Sequence, residues 1–111
     1  MGYPIQLVGL EGQRALLAGG GPVAAEKIVP LIHAGARVHL VTPEVSPEME
    51  PWLADVWRLE RRPVRDEDVV GARVVLAATD DSAVNRRLVE AARAHGILAQ
   101  AADDKPYCDF Y

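Results

Sequence analysis

The chain has 111 residues, half of them hydrophobic and a quarter charged, with twelve basic against sixteen acidic side chains and a net charge of −4. That length suits one domain, 1–111, with its own core, and the acidic balance argues against nucleic acid as the main partner. A single cysteine, Cys108, excludes an internal disulfide and a cysteine-based metal cluster. No apolar run approaches the roughly 18 residues of a membrane span, and no basic-then-apolar leader opens the chain, so a soluble, cytoplasmic protein is expected.

Gly2 to Leu10 reads as an extended lead-in, turned by Glu11-Gly12 into a first strand at Arg14 to Ala18. Gly19-Gly20-Gly21 follows, and then the spacing predicts a helix over Val23 to Ala34 with Ala24, Ile28, Leu31 and Ile32 on one face. Pro22 suits the first helical turn. Pro30 is interior and predicts a kink between Glu26 and Pro30, and Gly35 is the expected stop. Arg37 to Val41 is a second strand, ended by Thr42-Pro43. Ser46 as cap and Pro47 in the first position predict a short helix to Ala54. Val56 to Leu59 reads as a weaker third strand and Asp66 to Val70 as one helical turn. Arg73 to Ala78, apolar after its first residue, reads as a central strand buried on both faces. Asp80 or Asp81 caps a helix to His95 with a buried stripe of Val84, Leu88, Ala91 and Ala92, and Gly96 leads to a fifth strand, Ile97 to Ala101.

Strands alternating with helices imply an α/β fold: a Rossmann-like, doubly wound parallel sheet of five strands in the order 3-2-1-4-5, with helices on both faces. The crevice then opens where strands one and four diverge. Gly19 to Gly21 and Thr79-Asp80 both fall there. Gly19, Gly21 and Ala24 occupy the three small positions of the fingerprint G-x-G-x-x-G/A. These serve the tight turn, the close approach of a pyrophosphate, and helix–strand packing. A strand running through glycines into a helix presents free N–H groups and the positive end of the helix dipole to an anion. The expected acid or arginine at the end of strand two is absent; Val41-Thr42-Pro43 stands there, with Glu44 after the proline. Either backbone and Thr42 grip the ribose, or the site takes another anion.

Taken together, Tyr3-Pro4-Ile5, Gly19 to Lys27, Ala34-Gly35-Ala36, Thr42-Pro43, Ala77-Ala78-Thr79-Asp80-Asp81, Val84-Asn85 and Ala101 to Phe110 with its Cys-Asp-Phe run resemble the siroheme synthase N-terminal family. The resemblance runs nearly end to end. It implies an NAD-dependent precorrin-2 dehydrogenase, in many members also a sirohydrochlorin ferrochelatase, and a family that tolerates the missing acid. It further implies cofactor contacts at Pro22 and Val23, an adenosine end at Pro43 and Glu44, and a catalytic aspartate at Asp103. Gln100 stands where the family usually has asparagine, and Lys105 where it has proline. Members continue for about a further domain's length of dimerisation and helical segments that complete the tetrapyrrole pocket.

The cofactor site is thus expected at Gly19, Gly20, Gly21, Pro22, Val23, Ala24, Thr42, Pro43, Glu44, Thr79 and Asp80, with NAD as cofactor and no metal site. His33, His39 and His95 show no ligand spacing. Cys108 reads as a small packing residue and Asn85 as a local backbone partner. Arg58, Arg61, Arg62 and Arg65 form one basic cluster, a solvated face or a set of donors for a polycarboxylate. Two functions follow: dehydrogenation of precorrin-2, or an NAD(H)-binding module completed by another subunit. Apolar surface near strand five and Tyr107 to Tyr111 predicts a homodimer or a partner subunit.

Overall fold

The computed structural model describes residues 2–4, 6–102 and 104–110. Its strands are β1 (Arg14–Ala18), β2 (Arg37–Val41), β3 (Arg58–Glu60), β4 (Val74–Ala77) and β5 (Leu98–Ala101). They form one parallel sheet in the order β3-β2-β1-β4-β5, the expected order. The register places Ala18 opposite both Val41 and Ala77, and Ala77 opposite Ala101. The carboxyl ends of four strands therefore finish level, along one edge.

Two helices cover the two faces. Helix α1 (Pro22–His33) and the 3-10 helix Glu50–Asp55 pack on Leu17, Val38, Leu40 and Val74. Helix α2 (Ser82–Ala94) and the 3-10 helix Asp66–Val69 pack on Leu16, Val41, Val75 and Ala99. The period of two along each strand makes both layers possible, because successive side chains point to opposite faces. Each fully buried Leu, Ile or Val contributes about 1.5–3 kcal/mol, so these two layers dominate stability. β4 is buried along its whole length between β1 and β5, as its apolar run implies.

Helix α1 runs from Pro22 to His33 with Pro30 inside it. Proline lacks the N–H that would bond the carbonyl of Glu26, and both residues lie on the exposed side. Other elements depart from the sequence expectation or narrow it. The expected helix from Pro47 is instead a turn followed by 3-10 helix, because the Ser46 N–H is drawn to Gly20 O at 2.7 Å and its hydroxyl does not cap. Of the expected α2 stripe, Leu88 and Ala92 are buried and Val84 and Ala91 are partly buried against the same core, while Asn85 and Val89 join it. Asp81, not Asp80, caps α2: its Oδ1 accepts from the N–H groups of Ala83 and Val84 at 2.9 and 3.3 Å.

A polar network ties β1, β2 and β3 to the 3-10 helix Asp66–Val69. Arg14 can only donate, so its Nη1 donates to His39 Nδ1 at 2.9 Å, and His39 Nε2 carries the proton toward Glu60 Oε2 at 2.5 Å. Arg62 bridges Glu60 (3.0 Å) and Asp68 (2.7 Å). The His39 hydrogen bond holds the Glu60 carboxyl below its usual range, and the Arg62 hydrogen bond does the same for Asp68. Arg62 is therefore no free donor, and none of the four clustered arginines lines the cleft described below. At the other sheet edge, residues 104–110 are latched to α2. Arg86 binds Asp104 at 2.7 Å, Arg93 binds Asp109, and both guanidinium groups stack on Tyr107. Within the surface expected to be apolar, Tyr107 thus meets two cations, while Leu98 stays exposed.

Candidate nucleotide-binding cleft

Where β1 and β4 diverge, a cleft of about 640 Å³ opens, lined by the glycine turn, by Thr42–Ser46 after β2, by Ala78–Asp80 after β4, and by Ala102 after β5. All of the expected cofactor residues line it except Ala24. Ala24 is fully buried in the α1 face of the core and acts by letting α1 sit close to the sheet, not by facing the cleft. Asp103 lies outside the described residues.

Each of the three glycines answers a different constraint. Gly19 has φ +120°, and a Cβ there would lie 2.3 Å from Ala78 O. Gly20 is closed in by the loop after β2: a Cβ would lie 2.0 Å from Glu44 O and 2.8 Å from Thr42 Oγ1. That loop is fastened over it by the 2.7 Å bonds from Ser46 N to Gly20 O and from Thr42 Oγ1 to Glu44 O. Gly21, the N-cap of α1, has ordinary extended backbone (φ −88°, ψ −171°) and open space where a side chain would project. The space kept free is the space a pyrophosphate needs in order to meet the helix N-terminus.

The chemistry of this floor suits an anion. Helix α1 has no side-chain cap and no acid in its first turn, so its leading N–H groups and the positive end of its dipole face the cleft uncompensated. Val23 exposes an apolar side chain there. The Ser46 Oγ is buried with no hydrogen-bond partner, at the end of the cleft formed by the β2 loop. An unpaired buried hydroxyl is costly, and a polar ligand group would repay it. A nicotinamide dinucleotide fits these features: the volume lies within the usual 300–1,000 Å³ of cofactor sites, and the glycine turn leaves its phosphate seat clear. Gly19 to Gly21 would hold the pyrophosphate and Thr42 to Ser46 the adenosine end.

The family model described as "Putative NAD(P)-binding" matches residues 7–111. The chain belongs to this family. It is 44% identical to the siroheme synthase of Chromobacterium violaceum over 92% of its own length and 22% of that protein's. It is 33% identical to the siroheme synthase of Nitrosococcus oceani over 99% of its length and 24% of that protein's. The precorrin-2 dehydrogenase of Bacillus subtilis is 36% identical over 77% of this chain and 53% of its own length. Among solved structures, SirC, a precorrin-2 dehydrogenase, superposes with a TM-score of 0.75 at 30% identity, covering 92% of this chain and 50% of that one. The chain thus spans about a quarter of these siroheme synthases and about half of the dehydrogenases.

Some cleft residues were not legible in the sequence. Ser46 reads as a helix cap, yet its backbone serves the glycine turn. Ala78 and Ala102 line the cleft only because their strands finish level. Behind the cleft wall, Asn85, buried on α2, makes three hydrogen bonds to Thr79, two of them to its backbone, as its reading as a local backbone partner implies. Among the described residues no group of His, Cys, Asp or Glu is arranged to hold a metal, and no helix is long and apolar enough to cross a membrane.

Proposed function

We propose that the cleft binds NAD(H) and that the chain is the cofactor-binding part of a precorrin-2 dehydrogenase, converting precorrin-2 to sirohydrochlorin. The observation that carries the reading is the uncapped N-terminus of α1 beneath the free space at Gly21. The names of the relatives and of the structural neighbour supply the substrate. NAD is preferred to NADP because the lining residues include two carboxylates, Glu44 and Asp80, and no lysine or arginine. A 2′-phosphate near Glu44 would meet repulsion with no cation to offset it.

Bound NAD⁺ supplies the hydride acceptor. The chain's own residues seat the pyrophosphate on the α1 N-terminus and hold the adenosine end against Thr42, Pro43, Glu44 and Ser46. Dehydrogenation takes a hydride and a proton from the macrocycle as one double bond forms, leaving NADH. Asp103 is the proposed base for that proton. It follows Ala102, which lines the cleft and whose N–H is bonded to Ala77 O at 3.0 Å.

The direct test is incubation with NAD⁺ and precorrin-2, in the presence of any subunit needed to complete the pocket, while NADH absorbance is followed. Turnover that falls about 10²–10⁴-fold in Asp103→Ala, with NAD⁺ affinity retained, is the expected result. Full activity in Asp103→Ala overturns the role of Asp103. NAD⁺ binding without turnover under every condition replaces the enzyme with a binding module.

A further inference from the structure

Asn85 is 6% exposed, on the apolar stripe of α2. A buried carboxamide is costly unless its hydrogen bonds are made, and Asn85 makes them all to one residue. Its Oδ1 accepts from the N–H of Thr79 at 3.1 Å and from Thr79 Oγ1 at 2.6 Å, and its Nδ2 donates to Thr79 O at 3.1 Å. The helix does not need it for capping, because Asp81 already accepts from the first free N–H groups. On the other side of the same peptide lies the glycine turn: a Cβ on Gly19 would be 2.3 Å from Ala78 O and 3.0 Å from Thr79 N. The Ala78–Thr79 peptide is therefore clamped between Asn85 and Gly19, and Asn85 is the only one of the two that acts through a side chain.

From this arrangement we infer that Asn85 is a positioning residue for the nicotinamide half of the cofactor, an inference that rests on the NAD(H) reading above. The cleft has two walls beside the glycine turn. Thr42–Ser46 follows β2, where the adenosine ribose sits in this fold class. Ala78–Asp80 and Ala102 follow β4 and β5, on the opposite side of the pyrophosphate seat. Asn85 touches only the second wall. It fixes the Thr79 hydroxyl and the peptide on which the nicotinamide riboside would lie, and its side chain makes no hydrogen bond to the adenosine wall. A pre-set wall adds affinity because the ligand does not have to order it on binding.

The prediction is a split between two ligands. Asn85→Ala removes three of the bonds that hold Thr79, leaving its hydroxyl only the Asp81 backbone as partner, and weakens NAD⁺ binding at least about tenfold, while ADP, which ends at the pyrophosphate, keeps its affinity within about twofold. Calorimetry of the full chain with each ligand reads both. If Asn85→Ala does not fold, Asn85→Asp serves in its place: it keeps both acceptor bonds but sets a carboxylate oxygen against Thr79 O, which pushes that wall out of place and gives a loss again confined to NAD⁺. A purely structural residue would lower both affinities together. Equal losses for the two ligands, or no loss for either, overturn the inference. If the parent binds neither ligand, the NAD(H) reading itself fails; if the parent binds both and the variant matches it, only the role of Asn85 fails.

Discussion

The three consecutive glycines behave differently although the sequence presents them as a repeat. At Gly20 a methyl group meets the Glu44 carbonyl at 2.0 Å, and that carbonyl is backbone and cannot swing aside. Gly20→Ala is expected to lower stability by about 1–3 kcal/mol, the usual cost of overpacking, read as a drop in the urea midpoint. Gly21→Val has room and an ordinary backbone conformation, so its stability should stay within about 1 kcal/mol of the parent, although the side chain enters the phosphate seat. The general fingerprint assigns the middle position no steric demand. Here the demand comes from a loop some two dozen residues away, fastened by Ser46 and Thr42, and no local pattern announces it.

At the scale of elements, strands and helices were legible wherever burial is simple. β1 and β2 span the expected residues, Arg14–Ala18 and Arg37–Val41. The α2 stripe was legible at Leu88 and Ala92, with Val84 and Ala91 partly buried beside them; Asn85 was missing from it because a pattern of apolar residues passes over a polar one. Asp81→Ala should cost about 1 kcal/mol, seen as a lower melting temperature, because it removes the α2 cap. The network between the strands and the 3-10 helix Asp66–Val69 predicts a pH dependence. Asp68 and Glu60 have folded-state pKa values below their unfolded ones. Their stabilisation is therefore complete above the ordinary carboxylate range of about 4 and is lost as pH falls below it. The urea midpoint should fall between pH 5 and pH 3 in the parent by this mechanism. Asp68→Asn should flatten that fall and cost about 1.5–3 kcal/mol at neutral pH.

Over the whole molecule, the α/β order of the chain was enough to place the glycine turn and Thr79-Asp80 at one crevice, since the right-handed crossover rule leaves few topologies. What the chain order could not give was the width of the crevice, the buried Ser46 hydroxyl, or the pairing of Arg62 with Asp68, all products of segments brought together by folding. Self-association belongs to this scale as well. Leu98 and Trp57 are exposed near opposite edges of the sheet, and sedimentation across a wide concentration range should show a mass above that of one chain. A single-chain mass throughout would contradict self-association.

The central claim is that the glycine turn at the N-terminus of α1 seats the pyrophosphate of NAD(H). Titration calorimetry of NAD⁺ into the parent and into Gly21→Val tests it most directly. The account predicts a single site in the parent and affinity reduced at least about a hundredfold in a variant that unfolds at nearly the parent's urea concentration. Equal NAD⁺ affinity in the two proteins, with both folded, would contradict it.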